Sequence, residues 1–154
     1  MTEAVLELKD VCFRWPNQDR ATIDLPELKI DQGERIFLQG PSGSGKSTLL
    51  SLVGGILVAE SGSLRVLGEE LKSLSRARRD AFRVTHLGFI FQLFNLLPYL
   101  SLEENVLLPL RFSKKRAQRA GRNQAERLAD AQRLLTALGP VSYTHLTLPT
   151  TLTV

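Results

Sequence analysis

The segment that most constrains this chain is "RIFLQGPSGSGKSTLLSLV", in which a short apolar run meets three closely spaced glycines and then a helical pattern. The apolar run Arg35–Gln39 predicts a buried strand. The spacing of Leu49, Leu50 and Val53 predicts a helix. Between them, Gly40–Ser47 satisfies the pattern G-x-x-x-x-G-K-S/T. This order of strand, glycine loop and helix predicts an α/β fold with a phosphate-binding loop.

The residue types of the loop suit a phosphate chain. Glycines let the backbone curl so that its N–H groups point at phosphate oxygens, and the following helix adds the positive end of its dipole. Lys46 is predicted to reach the β- and γ-phosphates, and the Ser47 hydroxyl is predicted to ligate Mg²⁺. The alternative is an ordinary Gly/Ser-rich surface loop. The predicted cofactor-binding residues of the loop are Gly40, Ser42, Gly43, Ser44, Gly45, Lys46, Ser47 and Thr48.

Composition excludes several classes of protein. With 43% apolar and 23% charged residues, the chain is typical of a globular domain and not of a disordered or fibrous protein. Its apolar runs are too short and too interrupted to cross a bilayer, and its N-terminus lacks the basic region of a signal peptide. Its single cysteine, Cys12, excludes an internal disulfide. We therefore expect a cytoplasmic protein.

Strands alternate with helices along the rest of the chain. Antiparallel strands are expected at the front, and Pro26 favours either an edge position for the second strand or an interruption of it. Helices are predicted after Ser75, after the Ser101 and Glu104 capping box, and over Ser113–Leu138. The segments predicted as strands are "VLELKDVCFRW", "ATIDLPELKI", "SGSLRVLGEEL" and Thr85–Phe91.

One segment is strongly basic. Arg111–Arg122 carries six basic residues and no acidic one. Such a run can contact nucleic acid or anionic lipid headgroups. The alternative is a solvated helix face that Glu126 and Asp130 balance, and the sequence leaves both open.

Two longer segments resemble a known family. "FLQGPSGSGKSTLLSLVGGILVAESGSLRVLGEEL" resembles the nucleotide-binding domain of ATP-binding-cassette (ABC) ATPases. "LGFIFQLFNLLPYLSLEENVLLPL" resembles the Q-loop region of the ABC subfamily that serves lipoprotein release, macrolide-type efflux and bacterial cell division. The resemblance covers about Leu6–Gly139. It implies a P-loop NTPase fold of the α/β class: the N-terminal part of an ABC nucleotide-binding domain, with an antiparallel β subdomain, a truncated helical subdomain, and ATP and Mg²⁺ as cofactors.

The resemblance gives roles to two residues outside the loop. Gln92 falls at the Q-loop glutamine, which in the family touches Mg²⁺ or the attacking water, so Gln92 joins Lys46 as a catalytic candidate and Ser47 as a metal-binding candidate. Trp15 aligns with the aromatic residue that stacks on adenine, and an indole face can do this as well as a tyrosine. Without the resemblance, Gln92 is only a polar residue after an apolar strand, and Trp15 an amphipathic aromatic at a strand end.

Some family motifs are not found in the sequence. It shows no signature loop, no Walker B strand and no switch histidine, since its two histidines, His86 and His145, are poorly placed. The segment Val141–Thr150, "VSYTHLTLPT", is identical to the translation of a common sequencing adapter. We therefore expect residues 1–139 to be a partial ABC ATPase domain and residues 140–154 to be a non-native tail.

The resemblance implies the ATP-binding subunit of an ABC transporter, which couples MgATP binding and hydrolysis to export or extraction of a substrate. The implied partners are a transmembrane permease at the Q-loop region and a second copy in a head-to-tail dimer, on the inner face of the cell membrane. No nucleic-acid partner is expected. The alternatives are a non-transport ABC ATPase, or a nucleotide-binding module without turnover. The sequence does not specify the substrate.

Overall fold

The computed structural model describes residues 4–90 and 96–138, so the predicted site residue Gln92 lies outside the described residues. The chain divides into two compact units, Met1–Arg83 and Val84–Val154.

The first unit contains a four-stranded antiparallel sheet, in which the first strand along the chain lies between the second and the third, and the fourth lies at the edge beside the third. Leu8 in the central strand lies opposite Leu28 on one side and Leu64 on the other. Leu8 and Val11 are fully buried, so this strand forms the centre of the apolar core. The predicted antiparallel strands are confirmed. Their bounds are Ala4–Phe13 (β1), Ile23–Asp31 (β2), Ser61–Val66 (β3) and Glu69–Glu70 (β4).

Pro26 lies in β2, at the edge of the sheet, as the sequence predicts. An edge strand tolerates proline because the missing N–H has no ladder partner to lose. The register between β1 and β3 shifts between Lys9 and Cys12, where Asp10 has a positive φ of 50°. A Cβ atom on Gly62 would lie 2.2 Å from the Asp10 carbonyl oxygen, so this bulge requires glycine at position 62.

Helix α1 and the first eight residues of helix α2 belong to the first unit. Helix α1, Lys46–Val53, follows the glycine loop as predicted and buries Leu52. Helix α2, Arg76–His86, begins after Ser75, whose hydroxyl accepts a 3.4 Å hydrogen bond from the Arg78 N–H. The unit also has a 3₁₀ turn at Leu71–Ser73.

The predicted strand Arg35–Gln39 is wrong, because these residues form no regular secondary structure. Ile36 and Phe37 are 56% and 87% exposed. An apolar run becomes a buried strand only where neighbouring strands pair with it and cover its faces. Among the described residues, no strand pairs with this run.

The predicted strand Thr85–Phe91 is also wrong where the structure describes it. Thr85 and His86 are the last residues of α2, and Leu87–Ile90 adopt no regular structure. Its last residue, Phe91, lies outside the described residues. The helical pattern of α2 therefore continues two residues into the segment that the apolar run assigned to a strand.

The second unit is helical where it is described. Ser101 and Glu104 form the predicted capping box: the Glu104 N–H donates to the Ser101 hydroxyl at 3.1 Å, and the Ser101 N–H donates to the Glu104 carboxylate at 2.8 Å. None of the helices in the described part of the chain is long and apolar enough to cross a bilayer. Their bounds are Leu102–Leu107 (α3), Lys114–Ala120 (α4) and Gln124–Ala137 (α5), with a 3₁₀ turn at Leu108–Arg111.

The single helix predicted over Ser113–Leu138 is instead the pair α4 and α5. A Cβ atom on Gly121 would lie 2.6 Å from that of Glu126, so the chain turns back on itself where only glycine fits. Asn123 then starts α5, with its side chain accepting a 2.9 Å hydrogen bond from the Glu126 N–H.

Candidate functional site

A cleft of about 470 Å³ opens in the first unit where the β1–β2 loop faces the glycine loop. Its size falls within the range of about 300–1,000 Å³ found for small-molecule sites. One wall is the β1–β2 loop, and the other is the glycine loop with the first turn of α1. The lining residues are Trp15, Gln18, Thr22, Ser42, Gly43, Gly45, Lys46, Ser47 and Thr48.

Trp15 lines this cleft and lies two residues after the end of β1. Its ring packs edge-on against the buried Phe13, with centroids 5.2 Å apart and planes at 87°. Trp15 nevertheless remains 40% exposed. The indole is thus held in place by the core while much of its surface stays available to a ligand.

The glycine loop needs glycine at two of its positions. Gly43 and Gly45 have φ angles of 80° and 88°, a region that L-residues with side chains rarely adopt. Gly45 also lies so close to the β1–β2 loop that a Cβ atom would approach both the Thr22 carbonyl oxygen and the Ile23 Cδ1 atom to 2.9 Å. Gly45 therefore brings the two walls of the cleft together.

The Lys46 side chain turns back into the glycine loop. Its ammonium donates to the carbonyl oxygens of Gly40 and Pro41 at 2.7 and 2.6 Å, and to the Ser44 hydroxyl at 3.3 Å. Gly40 and Ser44 are the two predicted loop residues that do not line the cleft, and both contact the Lys46 ammonium instead. The loop thus places one positive charge inside the turn that the sequence predicts to surround phosphate.

Ser47 and Thr48 form the first turn of α1. Ser47 lines the cleft, while its carbonyl oxygen accepts a 2.8 Å hydrogen bond from the Ser51 hydroxyl. Thr48 is buried. The first turn contains no acidic residue, so the positive end of the helix dipole is not neutralised there.

The described residues contain no cluster of three or more His, Cys, Asp or Glu side chains that could hold a metal ion. Mg²⁺ usually keeps several waters and is held by one or two protein groups plus substrate phosphates. Ser47 is the predicted metal-binding residue that the structure places at the cleft. The other, Gln92, lies outside the described residues.

Sequence reasoning missed two residues of the cleft, Gln18 and Thr22. The Thr22 hydroxyl donates to the Gln18 side-chain oxygen at 3.4 Å, and the Gln18 N–H donates to the Trp15 carbonyl oxygen at 3.2 Å. The signal was the polar run "PNQDRAT" directly after Trp15. A loop that begins at a residue of the cleft also brings its next residues to the cleft.

Comparison with known proteins decides the family. The family model described as "ABC transporter" matches residues 24–152. This chain belongs to the ABC transporter family. The match includes the glycine loop and the helices α1 to α5. It also runs through residues 140–152, so it sets no boundary at residue 139.

Two curated relatives of this chain have names that include the term ATP-binding. It is 43% identical over 141 residues to the macrolide export ATP-binding/permease protein MacB of Bradyrhizobium diazoefficiens, covering 90% of this chain and 20% of the relative. It is 42% identical over 130 residues to the lipoprotein-releasing system ATP-binding protein LolD 2 of Rhodospirillum rubrum, covering 83% of this chain and 56% of the relative. The chain therefore spans about half of LolD 2 and a fifth of MacB.

A solved structure shows the same fold. The ATP-binding cassette MJ0796, described as a dimer in a post-hydrolysis state bound to ADP and Pi, superposes with a TM-score of 0.72 at 32% identity. The match covers 85% of this chain and 56% of that one. The predicted family and the α/β class, as part of an ABC nucleotide-binding domain, are confirmed.

Proposed function

We propose that the chain binds MgATP in the cleft between Trp15 and the glycine loop. The observation that carries this proposal is the position of Lys46, whose ammonium lies inside a loop that two left-handed glycines shape. The donor set fits a triphosphate: one cation, the hydroxyl of Ser47, and an α1 N-terminus without acidic residues. ADP and Pi in the related cassette MJ0796 support the same assignment.

Each part of the cleft then has a task. Lys46 would leave its loop carbonyls to pair with the β- and γ-phosphates, while the loop N–H groups hold the phosphate oxygens. Ser47 would hold Mg²⁺, which supplies charge neutralisation at the phosphates when it is bound. Trp15 would stack on adenine, since its ring is fixed by Phe13 and still exposed.

We further propose that the whole protein uses ATP hydrolysis to drive export or extraction of a substrate by a membrane partner. The names of the relatives MacB and LolD 2, for macrolide export and lipoprotein release, support this role. They also make a non-transport ABC ATPase the less favoured alternative. A permease gene beside the full-length gene would support transport, and its absence together with a fused second cassette would favour the alternative.

The proposed partners are a permease and a second copy of the chain. The dimeric state of MJ0796 supports the second copy, in the head-to-tail arrangement that the family resemblance implies. The permease would contact the Q-loop region around Gln92, where Gln92 would also approach Mg²⁺ or the attacking water. Such a partner would hold the protein at the inner face of the cell membrane, in the cytoplasm.

For the polypeptide of 154 residues itself, we propose nucleotide binding without turnover. Its sequence shows neither the Walker B glutamate nor the switch histidine, which in the family polarise the attacking water. Lys46 can neutralise charge but cannot act as the base. A phosphate-release assay beside Lys46→Ala tests this, and lysine-dependent turnover would contradict it.

We also propose that residues 140–154 are non-native, so their deletion should change the free energy of unfolding by less than about 1 kcal/mol.

Calorimetry with MgATP tests the binding proposal. Lys46→Ala should abolish binding, because it removes the cation that faces the phosphates. Lys29→Ala is the matched control: Lys29 is exposed on the edge strand, where its ammonium lies 3.2 Å from Asp31. Its removal should leave affinity unchanged. Equal affinity of the wild type and Lys46→Ala would exclude this site.

A further inference from the structure

We propose that the exposed side of α4 binds the anionic headgroups of phospholipids. This surface, called here the α4 basic face, consists of Lys114, Lys115 and Arg119 together with Gln118. All of it lies within the second unit. The proposal goes beyond nucleotide binding and rests on the proposed function in one respect, that the protein works beside a membrane.

Helix geometry separates the basic face from the packed side of α4. Positions 114, 115, 118 and 119 share one side of a helix with 3.6 residues per turn, and all four residues are exposed. Ser113 and Ala117 on the other side are buried. The fourth basic residue, Arg116, donates to the Leu87 carbonyl oxygen at 2.5 Å. The helix thus uses one cation for packing and presents the other three to solvent.

The charge on this face is not balanced locally. Residues 111–122 carry six of the 20 basic residues and none of the 16 acidic ones, so the rest of the chain, with 14 basic against 16 acidic residues, has a formal charge of −2. Within residues 4–90 and 96–138, no ion pair involves a cation of α4. The next acidic residue, Glu126, accepts hydrogen bonds from the Arg122 N–H and the Asn123 amide.

The neighbouring helix α5 shows what a merely solvated surface looks like in this unit. There Arg133 pairs with Asp130 at 2.7 Å, three residues away. On α4 the residues one helical turn apart carry like charges, since Lys115 and Arg119 are four residues apart, and such pairs destabilise a helix. A surface with such repulsion between like charges is suited to a partner that supplies the opposite charge.

A membrane surface with anionic headgroups is the partner that the α4 basic face fits best. Clusters of lysine and arginine on a helix bind such a surface through diffuse attraction, without matched pockets. Phe112, which is 68% exposed beside the face, adds an apolar ring of the kind that inserts at the headgroup boundary. Single-stranded nucleic acid is favoured less, because its binding surfaces interleave cations with several stacking aromatics, whereas residues 111–122 contain one aromatic residue, Phe112.

Co-sedimentation with lipid vesicles tests the proposal. The wild-type chain should bind vesicles of phosphatidylcholine mixed with phosphatidylglycerol, should not bind phosphatidylcholine alone, and should be released at high salt. The variant Lys114→Gln/Lys115→Gln/Arg119→Gln should bind about 100-fold more weakly, since each cation contributes about fivefold. Replacing both lysines by arginine keeps the charge of the face and should preserve binding. The weaker binding of the glutamine variant is then due to its lost charge and not to unfolding of α4.

A matched control removes three exposed cations elsewhere: Lys9→Gln/Arg76→Gln/Arg78→Gln. It changes the net charge equally and should retain vesicle binding. An equal loss of vesicle binding in the control would overturn the proposal, because it would show that binding depends only on the net charge of the chain. Tighter binding to a single-stranded RNA than to vesicles at the same salt would also overturn it. Lys46→Ala should bind vesicles like the wild type, so failure of lipid binding and failure of nucleotide binding are distinguished.

Discussion

A Cβ atom on Gly45 would lie 2.9 Å from the carbonyl oxygen of Thr22. This contact joins the glycine loop to the loop that carries Trp15, so the two walls of the cleft touch at a residue without a side chain. The distance between the predicted adenine site and the predicted phosphate site therefore depends on the backbone of these two residues.

We predict that Gly45→Ala destabilises the first unit by about 2–5 kcal/mol. A side chain at a φ of 88° costs about 1–2 kcal/mol, and pushing the Thr22 carbonyl away adds an overpacking cost of about 1–3 kcal/mol. The free energy of unfolding from urea titration measures the loss. The displaced loops should also weaken MgATP binding.

Gly33→Ala is the matched control for this variant. Gly33 has nearly the same φ, 86°, but a Cβ atom added there would have no atom within 4 Å. Gly33→Ala should lower the free energy of unfolding only by the backbone contribution of about 1–2 kcal/mol, and it should leave nucleotide binding intact. Equal destabilisation by both variants would show that the contact with Thr22 adds nothing.

The accuracy of the sequence predictions follows the range of the interactions involved. The capping box at Ser101 and the edge position of Pro26 depend on neighbours in the chain or on one missing N–H, and both are confirmed. The run Arg35–Gln39 has the composition of a buried strand, but that state depends on neighbouring strands that no local pattern supplies. The same reason applies to Leu87–Ile90.

The residues of the candidate site follow the same rule: those that depend on local pattern were predictable, and those that depend on distant parts of the chain were not. The glycine loop was predictable because its pattern fixes backbone shape and charge within eight residues. Gln18 and Thr22 were not predicted, because they reach the cleft only through the close approach of the β1–β2 loop to Gly45. The roles of Trp15 and Gln92 depended on family resemblance, and Gln92 stays a prediction.

We predict that ATP changes the fluorescence of Trp15, the only tryptophan of the chain. Stacking on adenine would cover the 40% of the residue that is exposed. If base stacking on aromatics is a guide, Trp15→Ala should weaken ATP binding by about 5- to 150-fold, or about 1–3 kcal/mol. Trp15→Tyr should restore most of this affinity. An unchanged emission spectrum at saturating ATP would assign Trp15 to packing alone.

We predict that Glu70 makes the sheet sensitive to acid. Partial burial is the largest single effect and raises the pKa of Glu70, but hydrogen bonds from the Ser63 hydroxyl and from the Leu64 and Lys72 N–H groups each lower it. The charge of Arg65, 3.7 Å away, lowers it further, so the net shift of the Glu70 pKa is downward. The carboxylate therefore stabilises the fold above its ordinary pKa of about 4.3, and this contribution is lost as the pH falls through the lower folded value.

Urea titrations between pH 7 and pH 3 compare the wild type with Glu70→Gln. The variant should be less stable at pH 7, and the difference should shrink on acidification because the wild type loses its carboxylate interactions there. Glu69→Gln changes an exposed carboxylate on the adjacent residue and is the control. A gap between wild type and Glu70→Gln that does not depend on pH would contradict the electrostatic explanation.

We predict that Asn105→Asp destabilises the second unit by about 1–3 kcal/mol. The Asn105 amide donates to the carbonyl oxygens of Leu97, Leu100 and Ser101 at 2.9–3.1 Å, while its oxygen accepts from the Leu97 N–H at 2.8 Å. A carboxylate keeps the acceptor but turns three attractive contacts into repulsive ones, since it has no proton to donate. Gln124→Glu makes the same chemical change in the exposed first turn of α5, where negative charge is favourable, and should be neutral. Proteolysis rates and urea unfolding measure both variants, and equal stability of the two would show that Asn105 does not hold the turn before α3.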